Sequence, residues 1–216
     1  MSHFNVTARN RVKRLPERAS YDRALIYRIL DEALICHVGF VVDQQPFVIP
    51  TIHARRDDTL FLHGATTSRM TKHIQAGNPI CIATTLLDGL VVARAVFHNS
   101  MNYRSVVLFG AGRLLTDAEE KYEALRVLTE RIYPGRWDDA RLPNAKELKA
   151  TSVVAVTIES ATAKMRAGGP KDDAEDYAGD WWAGVIPIET KFHAPQNDEK
   201  LRADIPTPRY LKKYKR

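Results

Sequence analysis

The feature that most restricts the fold of this chain is a change of hydrophobic period after its first helix. Residues 20–35 (SYDRALIYRILDEALI) place Leu25, Ile26, Ile29, Leu30, Ala33 and Leu34 at helical i, i+3, i+4 spacing, with Ser20 as the expected N-cap. From residue 37 the period shortens to that of strands. Residues 37–42, 47–53 and 59–63 are short β-branched or aromatic runs, separated by Asp43-Gln44-Gln45-Pro46 and by residues 55–58, and they predict an antiparallel meander.

The same reading continues down the chain. Residues 67–76 predict a short helix closed by Gly77 and Asn78. Residues 80–87 and 90–97 predict two strands on either side of Asp88-Gly89, the strongest two-residue hairpin signal present. A strand over 105–115 follows, then a helix over 117–131 with acidic residues in its first turn, a Pro/Gly-containing connection over 133–145, and last strands over 152–159 and 161–166. The strands are mostly hairpin-linked and do not alternate with helices, which excludes a parallel α/β sheet. A mainly β fold, a small antiparallel barrel with peripheral helices, is expected. Beyond Gly168 the composition shifts to Gly, Pro, Asp and Trp without periodicity, so this segment is expected to lie across the barrel or a second subunit.

Charge is concentrated at the ends. The 216 residues carry a formal charge of +6, but residues 1–18 hold Arg9, Arg11, Lys13, Arg14 and Arg18 against Glu17 alone. Residues 207–216 add Arg209, Lys212, Lys213, Lys215 and Arg216, which leaves the body between slightly acidic. A nucleic-acid-binding domain presents its basic stripe on the folded surface, so nucleic acid is not an expected partner and the ends read as solubilising tails. No apolar run approaches the roughly 20 residues of a membrane helix, and no apolar block follows the basic N-terminus. A cytoplasmic protein is expected. Two cysteines, Cys36 and Cys81, stand in apolar runs and read as buried, inert thiols rather than a disulfide framework.

Two segments concentrate chemistry. In residues 60–73 (LFLHGATTSRMTKH) a strand, a Gly turn and three hydroxyl residues lead to Arg69 at the mouth of a helix. Backbone N–H groups, Ser68 and the Arg69 guanidinium suit a phosphate there; an ordinary hydroxyl-capped helix with a solvated arginine is the alternative. The GxxxxGK[ST] spacing of a Walker loop fails. In residues 98–110 (HNSMNYRSVVLFG), Asn102, Tyr103, Arg104 and Ser105 offer an amide, a phenol, a guanidinium and a hydroxyl to one ligand, or simply form a polar strand entry. Neither HExxH nor an i, i+4 histidine pair occurs, so no metal site is expected, and the absence of GxSxG argues against a serine hydrolase.

With RLPERASYDR (14–23), VIPTIHA (48–54), LFLHGATTSRM (60–70), NYRSVVLFGAG (102–112) and AKMRAGGPKDDAED (163–176) in order along the chain, the sequence resembles the flavin-binding split barrels of the pyridoxamine 5'-phosphate oxidase family, in their nitroimidazole-reductase-like branch. The resemblance implies an antiparallel split β-barrel of six to seven strands with flanking helices. It divides the chain into a basic arm over 1–19, an FMN-binding barrel over 20–167 and an extended segment over 168–216. It further implies a homodimer with FMN at the subunit interface, and a small electron donor and acceptor such as a nitroaromatic or quinone.

By that resemblance Ser68 and Arg69 grip the phosphate, with Ala65 and Met70 counted in the same site. Arg104 opens a pocket strand beside Asn102, Tyr103 and Ser105, Pro50, Thr51 and Ile52 run beside the isoalloxazine, and His63 is the expected proton donor near it. The sequence departs from the oxidases at Met70, where a lysine is usual, at Ser105, where a glutamine is, and at Val107, where a second arginine is common. These departures point away from pyridoxamine phosphate as substrate and towards a general FMN-dependent reductase. A non-enzymatic flavin-binding regulator and a haem-handling split barrel are the alternatives.

Overall fold

The computed structural model describes residues 2–214; Met1 lies outside the described residues, as do Lys215 and Arg216 of the basic C-terminus. In chain order the elements are β1 (Ala19–Ser20), α1 (Arg23–Glu32), β2 (Ile35–Val42), β3 (Gln45–Ile52), β4 (Ala54–Arg56), β5 (Thr59–Ala65) and α2 (Arg69–Gln75). They continue with β6 (Ile80–Val92), β7 (Ser100–Gly110), β8 (Gly112–Leu114), α3 (Ala118–Ile132), α4 (Ala145–Ala150), β9 (Thr151–Thr157), β10 (Ser160–Arg166), β11 (Gly184–Pro187) and α5 (Arg209–Lys212). Strands dominate, every pairing between them is antiparallel, and the helices lie at the periphery, which is the mainly β split-barrel architecture expected.

Two sheets share the strands. One runs β1-β10-β7-β6-β2-β3 with β11 added on β6, and the other runs β4-β5-β9-β8. The main core lies where Val38, Phe40, Ile82, Val106, Leu108, Leu60, Leu62 and Val156 meet, with Ile26, Ile29 and Leu30 of α1 closing one end. Because successive β5 residues point to opposite faces, Leu60 and Leu62 enter this core. Phe61 instead joins a second cluster with Leu115, Ala124, Leu128 and Val153 beneath α3. β5 is therefore covered on both faces.

Several sequence expectations are corrected. Asp22, not Ser20, caps α1, its side chain accepting from the Leu25 N–H at 2.8 Å. Asp43 and Gln44, both at positive φ, form a two-residue turn between β2 and β3, so Gln45 and Pro46 belong to the strand. The predicted meander is broken at His53, which is 1% exposed and donates through Nε2 to the Leu30 carbonyl at 2.9 Å. There the chain leaves one sheet for the other.

The hairpin predicted at Asp88-Gly89 does not form. β6 is one continuous strand with a bulge between Leu87 and Gly89, and its far half pairs with β11. A Cβ on Gly89 would stand 3.0 Å from the Ile186 carbonyl oxygen, so this glycine permits a close backbone approach rather than a reversal. The signal was read as a turn because β11 lies almost a hundred residues downstream, beyond any local pattern.

The segments flanking the barrel are also tied down, from Phe4 at one side to Tyr214 at the other. Phe4 is buried against α1, and Asn10 accepts from the Thr7 N–H while donating to the Asn5 carbonyl. The segment after β10 leaves through Gly168 at φ 97°, contributes β11, and returns to α3, where the Tyr214 hydroxyl donates to the Ile132 carbonyl. Among the described residues no helix is long and apolar enough to cross a membrane.

Candidate functional site

Residues 63–70 fold as the sequence pattern suggests. β5 ends at Ala65, the Ser68 N–H donates to the Ala65 carbonyl at 2.9 Å, and α2 begins at Arg69 with Ser68 as its N-cap. A Cβ on Gly64 would lie 3.2 Å from Thr71 Cγ2, so the missing side chain lets the helix sit tight against the strand. The Ser68 hydroxyl accepts from the Thr71 N–H at 3.5 Å, a long contact that leaves the rest of the first turn without side-chain caps. Ala65, Thr66 and Thr67 are exposed around it.

Arg69 is exposed and has no carboxylate partner among the described residues; its Cζ sits 4.2 Å from the centre of the Phe47 ring. Phe47 stacks on Phe40, which contacts the His73 ring, so the guanidinium is held over a fixed aromatic platform. Met70 is different. It is 2% exposed and packs in the core, so its side chain is not open to a ligand.

His63 faces the same side of β5 as Phe61, away from the barrel core. It opens into a cleft of about 250 Å³ between β5, α3, α4 and the connection joining those helices, walled by Leu125, Thr129, Trp137, Leu142 and Leu148. Its Nδ1 is buried with no hydrogen-bond partner among the described residues. Burial disfavours the charged imidazole and holds the His63 pKa below its ordinary value.

The second segment has its groups engaged. Arg104 Nε donates to Asp88 Oδ2 at 3.0 Å, Nη2 donates to Asp88 Oδ1 and Glu32 Oε1 at 2.8 Å each, and Nη1 also bonds Glu32. Hydrogen bonds to Asp88 and Glu32 raise the Arg104 pKa further above its usual value. Ser105 Oγ donates to the Lys164 carbonyl at 3.0 Å, and Asn102 links the buried Arg166 guanidinium to the Gly168 carbonyl. Tyr103 pairs across the sheet with Arg166 on one side and Leu87 on the other.

Pro50 and Arg104 line one groove of about 650 Å³ with His37, Leu87, Asp88 and Phe192; Ser68, Arg69 and His63 line no part of it. Thr51 pairs with Cys36, and Ile52 is exposed on the outer face of β3. Burial pushes the Cys36 thiol up to about 12 and raises that of the half-buried Cys81, so both are inert near neutrality. The connection after α3 lies where the sequence predicts it, but the helix α4 (Ala145–Ala150), which helps to wall the His63 cleft, has no counterpart in the sequence reading. Its signal was the Asn144-x-x-Glu147 spacing, which forms a reciprocal capping box.

Comparison with known proteins adds the following. A family model described as pyridoxamine 5'-phosphate oxidase matches residues 22–165. The flavocytochrome Anf3 of Azotobacter vinelandii is 39% identical over 97% of this chain and 97% of its own, with a TM-score of 0.92. The FAD and haem binding protein of Mycobacterium smegmatis is 35% identical over 90% of this chain and 95% of its own, with a TM-score of 0.86. A candidate 5-nitroimidazole antibiotic resistance protein of Bacteroides thetaiotaomicron is 24% identical over 68% and 85%, with a TM-score of 0.58, a likeness of fold. No curated protein matches.

Proposed function

Since the chain belongs to the pyridoxamine 5'-phosphate oxidase family, which binds flavin, we propose that it is a flavin-dependent oxidoreductase of a small acceptor and that it carries haem beside the flavin. The reading takes its haem from the Azotobacter and Mycobacterium proteins, whose likeness extends over nine-tenths or more of this chain. When bound, flavin and haem together join a two-electron donor to a one-electron carrier. The protein supplies binding, orientation and the exclusion of water.

The observation that carries the flavin assignment is Arg69. It stands at the first turn of α2, fixed over Phe47 and without a carboxylate to neutralise it. A phosphate meets there a planar guanidinium, the Ser68 hydroxyl and backbone N–H groups, as the sequence expectation of FMN requires. The FAD of the mycobacterial protein presents the same chemistry, so the phosphate, not the adenylate, defines this contact. Pro50, Thr51 and Ile52 border the ring on the outer face of β3, where Val48 and Ile52 are exposed. Ile35, Val41 and Leu87 extend this apolar surface, which a second copy of the chain covers in the homodimer, with the flavin between the two. Arg104 then shapes the groove by holding Asp88 and Glu32.

The test is the visible spectrum of the protein as purified, followed by the mass of the cofactor released on heating. A flavin band, with FMN or FAD recovered, is the expected result. Colourless protein that fails to quench the fluorescence of added FMN or FAD would refute the assignment. Light scattering reports the dimer; a monomer at micromolar concentration would remove the interface from the account.

A further inference from the structure

The basic N-terminal arm does not trail away from the barrel. Asn10, 4% exposed, donates to the Ala161 carbonyl at 3.4 Å and accepts through its own carbonyl from the Thr162 hydroxyl, so the arm crosses the outer face of β7 and β10. The Val12 N–H donates to the Tyr21 hydroxyl at 3.2 Å, and Lys164 Nζ donates to the Arg14 carbonyl at 2.9 Å. Between arm and sheet a cleft of about 220 Å³ remains. Its floor is Val107 and Phe109, two residues apart on one face of β7, with Thr162 of β10 paired beside Val107.

Charge sets this cleft apart from the other two. Glu147 lines the His63 cleft, and Glu32, Asp88 and Glu189 line the groove at Pro50, whereas Arg9, Arg11 and Lys164 line this one with no carboxylate among its described lining residues. Arg9 lies over the Phe109 ring at 5.7 Å and reaches Glu159, outside the cleft, at 3.4 Å, an exposed pair of little worth. Arg11 is exposed, and its backbone N–H donates to the Thr7 carbonyl at 3.1 Å. Its guanidinium has no hydrogen-bond or ion-pair partner among the described residues. A fold that anchors three like charges around one cavity carries a repulsion that an anion relieves.

We propose that this cleft binds a small phosphate monoester, with Arg9, Arg11 and Lys164 receiving the phosphate and Val107 and Phe109 carrying an apolar or aromatic body. A phosphate monoester bears about −1.5 to −2 charges at pH 7, which answers three cations better than one carboxylate does. The cleft is smaller than the roughly 300 Å³ at which sites for drug-sized ligands begin, so the ligand is one ring with its phosphate and not a dinucleotide. The site is distinct from the turn at Arg69. That arginine rests on Phe47 of β3, and β2 and β6 stand between β3 and β7, so three strand spacings of about 14 Å in all separate the two.

The test titrates phenyl phosphate into the full-length protein by isothermal calorimetry at fixed ionic strength, with inorganic phosphate and benzoate as comparison ligands and flavin content measured in every sample. Wild type is expected to bind phenyl phosphate roughly tenfold more tightly than inorganic phosphate, through burial of the ring, and more tightly than benzoate, through its greater charge. Arg11→Ala, at an exposed position without side-chain partners, is expected to weaken phenyl phosphate roughly tenfold or more, the worth of a charged hydrogen bond, with flavin content unchanged. Val107→Glu, which sets a carboxylate on the partly exposed floor, is expected to abolish the binding, and Arg69→Ala to retain it. No saturable binding in wild type, an affinity unmoved by Arg11→Ala and Val107→Glu, or inorganic phosphate bound as tightly as phenyl phosphate would overturn the proposal. So would loss of phenyl phosphate in Arg69→Ala or loss of flavin in Arg11→Ala, since either would merge the cleft with the flavin site.

Discussion

The turn from β5 into α2 and the entry of β7 carry similar side chains, an arginine beside a hydroxyl with an aromatic ring close by. Their environments differ in kind. At the first, Arg69 rests on Phe47, with no carboxylate paired to it among the described residues. At the second, Arg104 is gripped by Asp88 and Glu32, Ser105 by the Lys164 carbonyl, and Asn102 by Arg166 and Gly168. The lesson is that a polar cluster marks a binding site by what the fold leaves unpaired. By this criterion we propose the first region as the site, together with His63, and read the second as a polar joint between sheet, α1 and the C-terminal segment.

The comparison breaks most sharply at Asn102. Its amide is a side-chain partner of the buried Arg166 guanidinium, which otherwise bonds the Gly168 and Gly169 carbonyls. Asn102→Ala is expected to lower stability by about 2–3 kcal/mol, the scale of lost bonds to a buried charge, read as a shift in the urea midpoint. Arg104→Leu is expected to cost about 1 kcal/mol, since its carboxylate partners are partly solvated. Arg69→Ala is expected to change the stability of the cofactor-free protein by no more than about 0.5 kcal/mol, as at an ordinary surface position. A large loss there would show that Arg69, too, is structural.

The smallest effect concerns Asp172, which joins the C-terminal segment to the β6–β7 connection. Burial tends to raise its pKa, but the Ala95 N–H at 3.1 Å and Arg94 at 3.3 Å hold it below the usual carboxylate value. Stability from a lowered carboxylate is fully present above its unfolded pKa of about 4 and is lost as pH falls through the folded value. Asp172→Asn is expected to flatten this acid-side slope, measured by denaturation at pH values from neutral down to about 3; an unchanged slope would assign the acid sensitivity elsewhere.

Much of the fold could be read from local pattern, because β2, β3, β5, α2, α3, β9 and β10 each carry their own period and caps. The failures share one physical cause. Asp88-Gly89 looks like a turn until β11 arrives to pair with β6, and residues 47–63 look like a meander until His53 anchors to Leu30 and diverts the chain. Both are decided by contacts distant in sequence. The site divides the same way. Ser68 and Arg69 sit at a helix mouth that local spacing predicts, whereas the engagement of Arg104 depends on Glu32, seventy-two residues before it. The cleft beside His63 likewise depends on α3 and α4.

The most direct test is a flavin titration of two variants of the cofactor-free protein, followed by fluorescence quenching. Arg69→Ala is expected to weaken binding by about 1–3 kcal/mol, roughly ten- to a hundredfold, the worth of a charge-assisted hydrogen bond, while Arg104→Leu binds as wild type does. Undiminished affinity in Arg69→Ala, with the loss falling on Arg104→Leu, would contradict the account.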